Sequence, residues 1–306
     1  MNYLIACVIV TYNRKELLKN CLNSIAKQSY KPKIVYIVDN ASTDGTIEAV
    51  KQWGYYNCCQ NDIKFEYILN EKNEGGAGGF YIGMKTAHKD KDIDAIWVMD
   101  DDGAPESNCL KFLIPYLKSH DYIAPIVLST ENHNTCSFIP NTSYDSFCNK
   151  ACKDGYVKNF ASPFNGILYS TRLINKIGFP KKEMFIWGDE ANYHIRAKKA
   201  GFQPITVIKA IHYHPIDRQK LIELPNGKTI VDVNLDWKMY CYIRNMIYNI
   251  KINDGTFICI KRSIGMWLKC MSYFKIRPER KNKLLVLDAI ICGFLGKFDR
   301  LKKYFK

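Results

Sequence analysis

The stretch Ala95-Ile96-Trp97-Val98-Met99-Asp100-Asp101-Asp102-Gly103 drives an apolar run of strand length into three adjacent carboxylates and stops at a glycine. Like charges side by side raise one another's pKa and cost stability, so acids crowded at the end of a buried strand call for a positive neighbour. A divalent cation such as Mg²⁺ or Mn²⁺ meets that need, because hard carboxylate oxygens suit it and such ions commonly hold a diphosphate as well. The other reading is an acidic turn whose carboxylates cap the next helix. The triplet alone leaves the two readings level.

Upstream, the chain repeats one pattern. Residues 4–10 (Leu-Ile-Ala-Cys-Val-Ile-Val) are almost continuously apolar, as in a strand covered on both faces. Asn13 and Glu16 then stand at capping-box spacing, and Leu17, Leu18, Cys21, Leu22 and Ile25 recur at helical intervals. A second strand over 34–38 runs into the polar loop Asp39-Asn40-Ala41-Ser42-Thr43-Asp44-Gly45-Thr46 and a short helix over 47–53. A third strand over 65–69 precedes the glycine-rich Asn73-Glu74-Gly75-Gly76-Ala77-Gly78-Gly79 and a helix through Lys85. Strands alternating with helices predict an α/β fold with a parallel sheet and right-handed crossovers. Ligands of such sheets bind beyond the carboxyl ends of the strands. The four loops named so far all leave from carboxyl ends, so they are expected to converge on one crevice.

Downstream, a strand over 122–128 gives way to a polar loop, and the pattern resumes with Pro163-Phe164-Asn165-Gly166-Ile167-Leu168-Tyr169 and a helix ending at Gly178. Met184-Phe185-Ile186-Trp187-Gly188-Asp189-Glu190 opens a helix that closes at Gly201, and a strand over 205–211 delivers His212-Tyr213-His214-Pro215. The character then changes: long helical segments mix aromatics with Lys and Arg, including Lys261, Arg262, Trp267, Tyr273, Phe274 and the run 297–306. A boundary near 225 is expected, with a catalytic α/β domain over 1–225 and a helical region over 226–306.

The net charge of +14, from 44 Lys and Arg against 30 Asp and Glu, points to an anionic partner. A nucleotide or an acidic membrane surface is expected rather than a nucleic acid, since no nucleic-acid-binding motif accompanies the charge. The twelve cysteines are scattered without a CxxC pair and no signal peptide opens the chain, so reduced thiols in the cytoplasm are expected. No apolar run reaches transmembrane length; the nearest, 284–295, is interrupted by Asp288 and Gly293.

Several residues carry chemistry. The glycine run lacks GxGxxG spacing, which disfavours a dinucleotide fingerprint but allows its backbone to approach a sugar or phosphate. Asp39, at the end of a buried strand, can accept from a base N–H or a ribose hydroxyl, or can form an Asx turn into the next helix. Asp189-Glu190 are favoured at a helix start by its dipole. Beside a Trp and a Gly they also make a general base next to a platform for a sugar ring. His212 and His214 alternate on a strand and point to opposite faces, and either one can supply the partner that the acidic triplet lacks. The basic, aromatic C-terminal region reads either as a solvated helical face or as an amphipathic surface at a membrane boundary.

Taken together, Val10-Thr11-Tyr12-Asn13-Arg14, the loop from Val38 to Thr46 and Asp100-Asp101-Asp102 resemble family 2 glycosyltransferases with the GT-A fold. The loop from Asn73 to Phe80, the segment Phe185-Ile186-Trp187-Gly188-Asp189-Glu190 and the stretch from Tyr240 to Asn245 are similar to the bacterial branch of galactofuranosyl- and rhamnosyltransferases. The resemblance covers residues 3–250.

It implies a Rossmann-like, mostly parallel sheet flanked by helices. It also implies inverting, metal-dependent transfer of a sugar, galactofuranose first and rhamnose second, from a UDP or dTDP donor. The acceptor implied is a growing cell-surface polysaccharide or lipid-linked glycan, reached from the inner face of the plasma membrane. Asp100, Asp102 and His214, with His212 as fallback, are expected to hold Mn²⁺ or Mg²⁺. Thr11, Tyr12, Asn13, Arg14, Asp39, Asn40, Asn73, Gly76, Gly78, Asp100 and Asp101 are expected at the nucleotide-sugar. Trp187, Asn165 and Gly166 are expected at the acceptor. The family's base is usually the second acid of its pair; here that acid is Glu190, one methylene longer than the usual Asp, and the choice between Asp189 and Glu190 stays open. The rival readings are a nucleotidyltransferase acting on a sugar phosphate and a non-catalytic, membrane-associated scaffold.

Overall fold

The computed structural model describes residues 2–139, 141–162, 164–216 and 220–305; Pro163 and Lys306, both named above, lie outside the described residues. The chain divides into two compact units, Met1–Pro180 with Arg196–Asp217, and Lys181–Ile195 with Arg218–Lys306.

The first unit opens with β1 (Ile5–Thr11), α1 (Lys15–Ala26), β2 (Ile34–Asp39), α2 (Thr46–Gln52), the hairpin β3 (Cys58–Gln60) and β4 (Ile63–Leu69), and α3 (Gly75–Ala87). Next come β5 (Ala95–Asp100), the two-residue β6 (Ala104–Pro105), α4 (Cys109–Leu113), β7 (Tyr122–Ser129), α5 (Tyr144–Cys148), β8 (Tyr156–Lys158), β9 (Asn165–Ser170) and α6 (Thr171–Ile177). After α7 (Asp189–Lys199), whose residues are shared between the units, β10 (Ile205–His214) completes the sheet. The spatial order is β3-β4-β2-β1-β5-β9-β7-β10-β6, with β8 on β10.

Every residue of β1, β2 and β7 is buried, as their unbroken apolar sequences require. Strands β4, β2, β1 and β5 are parallel neighbours, and β7 and β10 are parallel to each other. The register sets Thr11 opposite Asp39, Asp39 opposite Leu69 and Val10 opposite Asp100, so the four carboxyl ends lie side by side as expected. The sheet is mixed rather than wholly parallel, because β9 runs antiparallel between β5 and β7. Its sequence, Asn-Gly-Ile-Leu-Tyr-Ser, is buried throughout and carries no mark of direction.

Two local expectations are corrected. Helix α1 has Arg14 at its N-cap with no side-chain cap, while Asn13 lies outside it at φ +53°. Asn13 Oδ1 accepts instead from the Thr43 amide at 2.7 Å, so the capping-box spacing is coincidental. The glycine run forms the first turn and a half of α3 rather than a loop. A Cβ at Gly79 would stand 2.4 Å from Val10 Cγ1, and one at Gly83 2.4 Å from Val8 Cγ1, so these glycines let the helix lie flat on β1.

The second unit holds the hairpin of β11 (Leu221–Glu223) and β12 (Thr229–Val231) and the helices α8 (Asp236–Asp254), α9 (Thr256–Ile276) and α10 (Lys283–Leu295). It has its own apolar core, built from residues such as Tyr240, Ile243, Cys270, Tyr273, Leu285 and Ala289. Among the described residues no helix is long and apolar enough to cross a membrane. The cysteines are free thiols, most of them buried.

Candidate active site

In the first unit the acidic triplet follows β5 at the switch point where β1 is flanked by β2 on one side and β5 on the other. Asp101 is buried and its Oδ2 accepts from Thr11 Oγ1 at 2.7 Å. Arg14 reaches across from the start of α1, its Nη1 standing 3.2 Å from Asp101 Oδ1 and 3.0 Å from Asp102 Oδ2. Directly after the triplet, β6 pairs with the end of β10, Pro105 against His212 and Ala104 against Tyr213. That pairing delivers His214, whose Nε2 lies 3.1 Å from Asp102 Oδ1.

The electrostatics follow from the crowding. Burial, then the charges of Asp102 and Asp101, push Asp100 up to about 8. Burial pushes Asp101 up to about 6 against the pull of Arg14 and Thr11. Asp102 is largely enclosed as well, yet His214 and Arg14 outweigh that and hold it below the usual carboxylate range. Burial opposes charge on His214, but Asp102 raises its pKa above the ordinary imidazole value.

The residues present fit a divalent cation in their chemistry. Asp102 Oδ1 is buried and, among the described residues, meets no donor in full hydrogen-bond geometry, although His214 Nε2 stands within ion-pair distance. His214 Nδ1 lies 2.6 Å from the Pro215 carbonyl, which can only accept, so that nitrogen carries a proton and Nε2 is the one turned to Asp102. Among the described residues no three His, Cys, Asp or Glu side chains form a ready-made cage. An ion here would therefore draw its remaining ligands from a bound diphosphate and water. His212 is placed differently: it is fully buried, pushed down to about 3 by burial and by His214, and packed where Cβ atoms on Gly103 and Gly166 would collide with its ring.

The other nucleotide-site candidates from the sequence are near the same carboxyl ends. Tyr12 is exposed, and the Asn13 amide donates to Ser42 Oγ at 2.9 Å, tying the β1 and β2 loops together. Asp39 is buried, with Oδ1 accepting from the Ser42 amide at 2.8 Å and Oδ2 from the Tyr67 hydroxyl. Asn40 is fully engaged inside the fold, donating to the Gly75 carbonyl at 2.9 Å and accepting from Asn70 at 2.8 Å. Asn73 Oδ1 accepts from the Gly75 amide at 2.8 Å. Gly76 faces open space, whereas a Cβ on Gly78 would stand 2.3 Å from Glu74 Cβ. On β9, Asn165 and Gly166 are buried, and the Gly166 carbonyl accepts from the Trp97 indole at 2.7 Å. Tyr67 was not singled out by sequence; its place on β4, paired with Ile37 two positions before Asp39 on the neighbouring β2, is visible only in the register.

The acid pair Asp189-Glu190 belongs to the second unit. The segment before it is held in an uncommon backbone, with Phe185 at φ +70°, Trp187 at +59° and Gly188 at +92°. A single amide from α8 holds it: Asn245 Nδ2 donates to the carbonyls of Met184 (3.0 Å), Ile186 (2.9 Å) and Trp187 (2.7 Å). Asn249 Nδ2 donates to the Gly188 carbonyl at 2.7 Å. Arg244 is wholly buried; it donates to the Met184 carbonyl at 2.8 Å and to Asn245 Oδ1 at 2.9 Å, and lies over the Phe298 ring at 4.7 Å. Glu190 is half-buried and Oε2 accepts from the Gly188 amide at 3.1 Å, while Asp189 is only 4% exposed. Trp187 is half-buried rather than exposed, its ring edge-on to Tyr242. Sequence reading gave Arg244, Asn245 and Asn249 no role. The available signal was polar side chains on the buried face of an apolar helix, which must find partners there.

The sequence model of Glycosyl transferase family 2 matches residues 6–161, which hold β1, β2 and the acidic triplet. Galactofuranosyltransferase GlfT1 of Mycolicibacterium smegmatis is 27% identical over 235 residues, covering 73% of this chain and 75% of that protein. The crystal structure of S. aureus TarS 1-349 in complex with UDP superposes with a TM-score of 0.52 at 17% identity, over 82% of this chain and 66% of that one. The mannosyltransferase PcManGT from Pyrobaculum calidifontis, in complex with GDP-Man and Mn²⁺, superposes with a TM-score of 0.57 at 13% identity, over 97% of this chain and 88% of that one. These neighbours show the GT-A-like fold, and the family match spans half of the chain: this protein is a glycosyltransferase and belongs to glycosyl transferase family 2.

Proposed function

We propose that this glycosyltransferase is an inverting, metal-dependent enzyme that moves galactofuranose from a UDP donor onto a growing cell-surface polysaccharide or lipid-linked glycan. Rhamnose from dTDP is the second choice of donor. The observation that carries the reading is the cluster of Asp102, His214 and Arg14 at the carboxyl end of β5, where a diphosphate would find both a cation site and a guanidinium. Similarity to a galactofuranosyltransferase supports the choice of donor.

In this reading Asp39 meets the nucleobase, exchanging its bond to Tyr67 for one to the base. Thr11, Tyr12, Asn13, Asn73, Gly76 and Gly78 shape the nucleotide-sugar site, with Asn40 as its inner support. Asp102 and His214, with Asp100 beside them, would hold Mn²⁺ or Mg²⁺, whose contribution is to neutralise charge on the departing diphosphate. Arg14 is half exposed and can turn from Asp101 and Asp102 toward the same phosphates. Glu190 takes the proton of the acceptor hydroxyl as its oxygen bonds to the anomeric carbon and the bond to the nucleoside diphosphate breaks. Asp189, being buried, is the weaker candidate for that role. Trp187, Asn165 and Gly166 are assigned to the acceptor. The protein works at the inner face of the plasma membrane, where lipid-linked glycans are presented.

Calorimetric titration with UDP in the presence and absence of Mn²⁺ tests this. Binding that requires Mn²⁺ is expected; no binding of UDP or dTDP with the metal present would overturn the reading.

A further inference from the structure

Helices α9 and α10 are apolar on two opposite sides. Met266, Cys270 and Tyr273 on α9 and Leu285, Ala289 and Cys292 on α10 face the core of the second unit. On the outward side, Phe257, Ile260, Ile264 and Leu268 follow one another at helical spacing, and Leu284, Leu287, Ile291 and Leu295 repeat the same spacing. Phe257 is 83% exposed and Leu284 79%, far more than scattered surface leucines would require. The aromatics that the sequence suggested for such a surface, Tyr273 and Phe274, are buried instead.

Charge selects the occupant. Residues 256–306 carry thirteen Lys and Arg against three acids. Lys261, Arg262, Lys275, Lys281 and Lys283 are exposed on or beside the same two helices. A second copy of the chain would bring two such basic surfaces together and leave them repelling. Helix α9 is 21 residues long, but Lys261, Arg262, Lys269 and Lys275 bar it from spanning hydrocarbon. An outward apolar stripe edged by Lys and Arg suits the boundary of an anionic bilayer, with the apolar side chains in the acyl region and the cations among the headgroups.

We propose that the outward stripes of α9 and α10 are the surface by which this protein lies on an anionic membrane. This locates the membrane attachment named above and rests on that part of the reading.

Flotation of the full chain with phosphatidylcholine vesicles, with and without phosphatidylglycerol, tests it. The protein should bind the anionic vesicles and be released by high salt. The combined variant Phe257→Ser, Leu268→Ser, Leu284→Ser, Leu295→Ser should lower binding by about tenfold or more while UDP binding stays as in the wild type. Replacing Lys261, Arg262 and Lys283 by Gln should weaken binding by about tenfold and flatten its salt dependence. Wild-type binding that survives the serine replacements would overturn this surface and leave membrane attachment standing. A salt-stable dimer that the serine replacements split would assign the stripes to a second copy and overturn the proposal. Vesicle binding without UDP binding would support the surface while removing the donor assignment.

Discussion

His214 Nε2 stands 3.1 Å from Asp102 Oδ1, while Nδ1 of the same ring lies against the Pro215 carbonyl at 2.6 Å. The carbonyl fixes which nitrogen keeps its proton, so the ring presents Nε2 to the carboxylate either as a cation or as a lone pair. Under the proposed function the same geometry would serve two states. Imidazolium and guanidinium balance the acids, and a divalent cation would find both Asp102 Oδ1 and Nε2 as ligands.

It follows that His214→Ala and Asp102→Asn should each weaken Mn²⁺-dependent UDP binding by about tenfold to a hundredfold, the usual scale for loss of support at a metal site. Titration calorimetry with and without Mn²⁺ reads this directly. An unchanged dependence on the metal in both variants would remove these residues from the site.

Glu190→Gln should leave UDP binding intact and lower transfer by about 10²–10⁴, because the amide keeps the shape of the side chain but cannot take a proton. Steady-state kinetics with a transferable acceptor would show the fall in kcat. Unchanged turnover would pass the role to Asp189.

The Asn245 amide shares two protons among three carbonyls of the segment that leads to Asp189-Glu190. Asn245→Ala takes this donor from the Ile186 and Trp187 carbonyls, Met184 keeping its bond from Arg244, and should cost about 1–3 kcal/mol of stability. It should also lower kcat more than KM, since Phe185, Trp187 and Gly188 keep their left-handed backbone only while held. Thermal unfolding and kinetics below the transition separate the two effects.

The glycines of α3 divide by position. Gly83→Ala and Gly79→Ala force a methyl into Val8 and Val10 and should each cost about 1–3 kcal/mol. Gly76→Ala meets nothing within 4 Å and should be neutral or stabilising by up to about 1 kcal/mol. Denaturant unfolding of the three variants would show whether the run serves packing. A loss of UDP binding in the stable Gly76→Ala protein would instead place its backbone at the ligand.

Much of the first unit is legible in the sequence because its polar loops follow where strands end. An unbroken apolar run followed by a polar residue marks both a buried strand and a loop at its carboxyl end, and Thr11, Asp39 and Asp100 all read that way. What stays hidden depends on direction and long-range pairing. The antiparallel course of β9 leaves no trace in six buried residues. That His214 lies against Asp102 while His212 is buried behind it depends on the register of β6 on β10, a two-residue pairing. The glycine run misleads because flexibility and close packing ask for the same residue. The clustering of 181–195 with the C-terminal helices rests on hydrogen bonds from Arg244, Asn245 and Asn249 to carbonyls some sixty positions away.

The most direct measurement is release of nucleoside diphosphate from nucleotide-sugars, with UDP-galactofuranose and dTDP-rhamnose tested side by side in the presence of Mn²⁺. UDP should be released from UDP-galactofuranose by the wild-type protein and not by Asp102→Asn. Release from neither donor, or formation of inorganic diphosphate from a nucleoside triphosphate and a sugar phosphate, would contradict it.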